Sequence, residues 1–184
     1  MNADMMRALY GYNSWATRQV LFAAVGLEGD AWATLGIGQG RTLRETLVHL
    51  VASQRAWVAW LDGSLSLEEA YALSLSPEDF PDVASLLAVW DEVDVAMDDF
   101  LDGLVDDDVQ RTYQTEMQGI TFGQELWQYL LHIANHATQH RSEAAVMLTE
   151  AGASPGGLDM MWFFLAQSMP APGSQPKGDA DAGA

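Results

Sequence analysis

The sequence predicts an all-α protein: a four-helix bundle with a short C-terminal helix and a flexible tail. Three observations carry that expectation. Apolar residues recur every three or four positions through four long stretches, whereas strand-like alternation is confined to one short segment. Capping boxes, glycines and prolines stand where those stretches begin and end. The chain has 184 residues, 49% of them hydrophobic, enough for one domain to bury a core.

The first helix is expected from Asp4 to Val25, with Leu9, Tyr12, Ala16, Val20 and Ala23 on one face. The loop GDAWATLGIGQGR follows. Its G-I-G-Q-G lacks the preceding strand and the terminal Gly-Lys-Ser/Thr of a phosphate loop. Thr42 and Glu45 have capping-box spacing, so a second helix should run from Leu43 to Leu61 and end at Gly63. A short helical piece is expected over Leu67 to Leu73, and Pro77 and Pro81 then break the chain. The third helix spans Asp82 to Leu101, with Leu86, Leu87, Trp90, Val93, Met97 and Leu101 inward.

Gln110 to Ile120 alternates weakly and reads as a small hairpin or irregular connection. Thr121 and Gln124 have the spacing of another capping box, which places the fourth helix from Phe122 to Glu150, stopped by Gly152. Pro155 opens a last segment in which LDMMWFFLAQS is expected to form a short, mostly buried helix. These elements make one domain over residues 1–169. The Pro/Gly-rich PAPGSQPKGDADAGA, residues 170–184, is the expected tail.

Eight basic against 26 acidic residues give a net charge of −18, which argues against a nucleic-acid surface and against anionic membranes. The absence of cysteine excludes disulfides, cysteine metal sites and a cysteine nucleophile. With no signal-like N-terminus and no run of 18 apolar residues, the expectation is a soluble cytoplasmic protein.

The stretch HIANHATQHRSE holds His132, His136 and His140. A step of four on a helix turns about 40° past a full turn, so the three form one slanted stripe. An i, i+4 pair can converge on one metal, but His132 and His140 lie roughly 12 Å apart along the axis and cannot easily share one. Spacing therefore leaves two pairs open, His132/His136 or His136/His140. His49 is the only other histidine and falls at the edge of the second helix's apolar arc, where it can face a neighbour. No HExxH, paired Glu-x-x-His or G-x-S-x-G motif is present. No general base or nucleophile is singled out.

LYGYNSWATRQVL, TLRETLVHLVASQRAWVAWL and HIANHATQHRSE, in this order and spacing, resemble helices one, two and four of the DinB/YfiT-like metalloenzymes. The resemblance covers about Met5 to Leu165. It implies an up-down-down-up four-helix bundle, usually a homodimer, and a divalent metal, zinc or nickel. The implied ligands are His49, His136 and His140, with His132 the spare. Ser142-Glu143 stands where the family often has Gly-Gln, so Glu143 is a candidate partner for a ligand imidazole or a further oxygen ligand. The family name comes from damage induction in bacteria, and characterised relatives include transferases and isomerases that use bacillithiol, mycothiol or glutathione.

The leading expectation is therefore a metal-dependent enzyme acting on a small-molecule substrate, by S-transfer with a low-molecular-weight thiol as cosubstrate. A metal-dependent hydrolase uses the same site. A non-catalytic, stress-related helical dimer with a structural or vestigial metal is the rival. Glu143, Tyr129 and Glu125 share the histidine stripe as supporting candidates, and Asn13 and Trp15 match a first-helix pattern as packing residues.

Overall fold

The computed structural model describes residues 1–27, 30–37 and 40–169, so the expected tail lies outside the described residues. Helix α1 spans Ala3–Val25, with the Asn2 side chain accepting from the Met5 amide. The connection beyond it holds one short turn of helix, α2, Ala31–Thr34. Helix α3 spans Leu43–Leu61, the bounds its capping box predicts, and both halves of the Thr42/Glu45 box form. Helix α4, Leu67–Ala72, opens on a second such box from Ser66 and Glu69. Helix α5 spans Val83–Asp102 under an Asp82 cap. A short turn, α6, covers Asp106–Val109. A hairpin of β1, Thr112–Met117, and β2, Ile120–Glu125, leads into α7, Leu126–Glu150. Helix α8, Met160–Ser168, closes the described chain.

The four long helices pack around a shared interior. Helices α1 and α3 each lie against both α5 and α7. The interior is two apolar clusters with a polar layer between them. One cluster includes Met6, Tyr10, Trp57, Met97, Leu126 and Leu130; the other includes Val20, Leu47, Val51, Trp90, Ala144 and Leu148. Between them lie Asn13 and Thr17 of α1, Gln54 of α3, Asp94 of α5, and His140 and Arg141 of α7, all buried. Among the described residues, no helix is long and apolar enough to cross a membrane.

Two sequence expectations are corrected. The fourth helix does not start at Phe122. Phe122 pairs with Thr115 and Gly123 with Gln114 in the hairpin. Gln118 and Gly119 both have positive φ, 54° and 76°, as the tight two-residue turn of a twisted hairpin requires. The strand therefore outcompetes the Thr121/Gln124 cap, and Gln128 instead reaches back to the Glu125 amide at 2.9 Å. The second correction concerns α8, which is not mostly buried. No residue of it is fully covered, and Trp162 stays 66% exposed. The helix is apolar nearly all round but lies on the outside of the packed helices, so only one side meets protein. That side wedges Phe163 against Tyr12 and Trp15, with ring centroids 6.0 and 5.6 Å apart.

Candidate metal centre

Helices α3 and α7 bring three imidazoles to one point. The Nε2 atoms of His49 and His136 are 3.3 Å apart, and those of His136 and His140 are 3.2 Å apart. The His49 and His140 rings meet at right angles, with centroids 4.7 Å apart. One nitrogen from each of the three lies within 4.8 Å of the other two. Two nitrogens bound to one tetrahedral ion at about 2.0–2.1 Å stand roughly 3.3 Å apart, so this spacing fits a divalent cation. The donor chemistry agrees. His136 Nε2 faces two other imidazole nitrogens, and a single proton cannot satisfy all three lone pairs. Three histidines this close could bind a metal ion.

Electrostatics favour the neutral form of two of the three rings. Burial, then the neighbouring His140 and His49, hold His136 down to about 4. Burial and the Arg41 charge push His49 below its ordinary value as well. Both rings are thus neutral near pH 7, as metal binding requires.

Glu143 sits one turn beyond His140 and contacts its Nδ1 at 2.7 Å. The Nδ1–H donates to the carboxylate, which leaves the Nε2 lone pair aimed at the other two rings. Glu143 also accepts from Gln139 Nε2 at 3.0 Å. Partial burial opposes ionisation of Glu143, but the hydrogen bonds from Gln139 and His140 outweigh it and hold its carboxyl below the usual range. Of the two roles expected for Glu143, this geometry is that of a partner to the imidazole.

The other candidates on the stripe go elsewhere. His132 stacks edge-on to Trp57, centroids 5.5 Å apart, and does not join the trio. Tyr129 belongs to an aromatic cluster with Trp57 and Trp60, and Glu125 contacts the Trp127 indole nitrogen. Neither reaches the histidines. Trp15 packs on Tyr12 and Phe163. Asn13 is buried and bridges two helices: its Nδ2 donates to Gln54 Oε1 at 3.0 Å, and its Oδ1 accepts from Arg141 Nη1.

Sequence reasoning missed the walls of the site. A cavity of about 360 Å³ beside His140 is lined by Ile37, Arg41, Thr46, Glu143 and Met147. Another of about 310 Å³ beside His49 is lined by Arg41, Glu45, Ala52 and Ser74. The available signal for Arg41 was positional: it sits just before the Thr42 cap, two helical turns ahead of His49. Compared with known families, residues 1–177 match the model of the DinB family. No curated protein matches the chain.

Proposed function

The chain belongs to the DinB family, and from that premise we propose that it is a divalent-metal-dependent enzyme acting on a small molecule, with His49, His136 and His140 as the metal ligands. The observation that carries this reading is the convergence of three imidazoles at 3.2 and 3.3 Å. Zinc or nickel suits an all-nitrogen donor set. Three protein ligands are the pattern of sites that keep a position open for substrate, and cavities flank this one. An ion bound there supplies Lewis acidity, which lowers the pKa of a thiol or water in the open position.

The protein's own part is positioning. Glu143 fixes the tautomer and angle of His140. Burial keeps His136 from taking a proton in the metal's place. The favoured reaction is S-transfer with a low-molecular-weight thiol, which must arrive as a cosubstrate because the chain has no cysteine. The reading includes the up-down-down-up helix order. In its support, α1 and α7 give C-terminal residues (Val20, Leu148) to the apolar cluster in which α3 and α5 place N-terminal ones (Leu47, Leu86). It also includes a homodimer, supported by the exposed Met161, Trp162 and Leu165 of α8. The single domain and the cytoplasmic setting stay part of it.

The test is elemental analysis of untagged protein and of alanine variants at the three histidines, followed by turnover with a panel of thiols and an electrophile. About one ion per chain is expected, lost in each variant while the helical circular dichroism signal persists. Full occupancy in His136→Ala would sink the ligand set. Metal-dependent hydrolysis without thiol turnover favours the hydrolase, and no turnover of either kind favours a non-catalytic dimer.

A further inference from the structure

The cavities around the histidines hold an uneven set of charges. Two of them meet at Arg41. A third, lined by His49, Ala52, Tyr71 and Ser74, adjoins the second through residues they share. Together they border the trio with one cation, Arg41, and two carboxylates, Glu45 and Glu143.

Both carboxylates are committed. Glu45 accepts from the Thr42 amide at 2.7 Å and the Thr42 hydroxyl at 3.0 Å, which builds the cap of α3. Glu143 accepts from His140 and Gln139. Arg41 is exposed and forms no ion pair among the described residues, although the chain carries 26 acids. Its charge nevertheless bears on the site, since it helps hold down His49, His136 and Glu143.

A guanidinium presents a planar fork of N–H donors that matches a carboxylate with two parallel hydrogen bonds. In a chain of net charge −18, an anionic ligand is repelled from most of the surface. Arg44, Arg55 and Arg141 also form no ion pair among the described residues, but Arg41 is the cation that lines the cavities beside the histidines. One guanidinium balances one negative charge. The committed carboxylates on either side make the site a poor match for a phosphate dianion and a good one for a monocarboxylate. A ligand of three or four carbons held by its carboxylate at Arg41 lies within the cavity that also contains His140.

We propose that Arg41 is a specificity-determining residue that receives a carboxylate of the small-molecule ligand, so that the site selects carboxylate-bearing thiols over neutral ones. This rests on the metal and thiol reading above. The probes are 3-mercaptopropionate and its neutral isostere 3-mercaptopropionamide, titrated into cobalt-loaded protein and followed by the thiolate-to-cobalt absorption band. The acid should bind roughly tenfold or more tightly than the amide, the range of a charge-assisted fork. Arg41→Gln should bring the ratio close to one, and Arg41→Lys should keep part of it. The melting temperature should stay constant in both variants, because Arg41 is exposed and forms no ion pair among the described residues. Equal affinities in the unmodified protein, or a preference that survives in Arg41→Gln, overturns the proposal. If neither thiol changes the cobalt spectrum, the thiol reading falls by itself. Propionate against propionamide, followed by calorimetry, then decides the carboxylate inference: a preference for propionate lost in Arg41→Gln supports it, and equal binding overturns it.

Discussion

Replacing Asn13 with alanine tests the polar layer directly. Asn13 is 1% exposed and bonded on both sides, to Gln54 of α3 and Arg141 of α7. Alanine takes an acceptor from a buried guanidinium, a loss of about 1.5–3 kcal/mol for a bond to a charged group. It also strips Gln54 Oε1 of its donor, at about 1–3 kcal/mol, in a side chain whose Nε2 already lacks a partner. The combined cost is about 2.5–6 kcal/mol, a large share of the roughly 5–15 kcal/mol that stabilises a typical domain. At about 2–4 °C per kcal/mol for a chain of this size, the melting temperature should fall by roughly 5–24 °C in scanning calorimetry. Asn13→Asp is the discriminating control. It gives Arg141 a carboxylate, and Gln54 can turn its amide to donate Nε2, so stability should stay within about 1 kcal/mol of the parent. An Asn13→Ala shift below 3 °C, or an Asn13→Asp loss as large as that of alanine, would refute the reasoning. The first result would mean that Thr17 and Thr138, which also bond Arg141, satisfy it without Asn13; the second would mean that burying a carboxylate there costs more than its pairing with Arg141 returns.

Three more outcomes are expected. His136 is held near 4, below its ordinary 6.5. In metal-free protein the unfolded chain therefore takes up a proton that the folded one refuses, so stability is full above pH 6.5 and declines as pH falls toward 4. Urea midpoints at pH 7.5 and 5 should show the decline, and His136→Gln should shrink it, leaving the part that comes from His49. Glu143→Gln weakens the acceptor on His140 Nδ1 and should lower metal affinity about tenfold in competition with a chromogenic chelator. Unchanged affinity would mean that helix packing alone aims the ring. Trp162→Glu combined with Leu165→Glu should convert a dimer to monomer in sedimentation velocity, and a monomeric parent protein would remove α8 as the interface.

Helix boundaries were legible where their causes are local. Thr42 and Glu45 set the start of α3 within four residues, and Gly63, with φ of 80°, lies just past its end. The same local grammar misled at Thr121 and Gln124, because pairing with Thr112–Met117 comes from elsewhere in the chain and wins. Apolar composition in α8 suggested burial, but composition does not say whether a second surface arrives to cover it. The candidate site divides the same way. Helical spacing put His136 and His140 one turn apart and made a shared ion for His132 and His140 difficult, but left the choice between His132/His136 and His136/His140 open. The meeting with His49 depends on α3 packing against α7. Arg41 lies outside any periodic stretch, and it reaches the cleft because the chain closes back through the Gly36–Thr42 bridge.

The polar layer between the two apolar clusters also works as an axial vernier. Apolar clusters alone tolerate sliding, since a helix displaced by one turn, about 5.4 Å, still offers leucines to leucines. Asn13, Gln54 and Arg141 do not tolerate it. Such a slip on any of the three helices carries a buried amide or guanidinium into hydrocarbon and strips its neighbours of their partners. One axial setting of α1, α3 and α7 therefore lies well below the others in energy. That setting is the coordinate on which His49 meets His136 and His140, so the bond network between the packed helices holds the spacing of the imidazoles without touching His49 or His136.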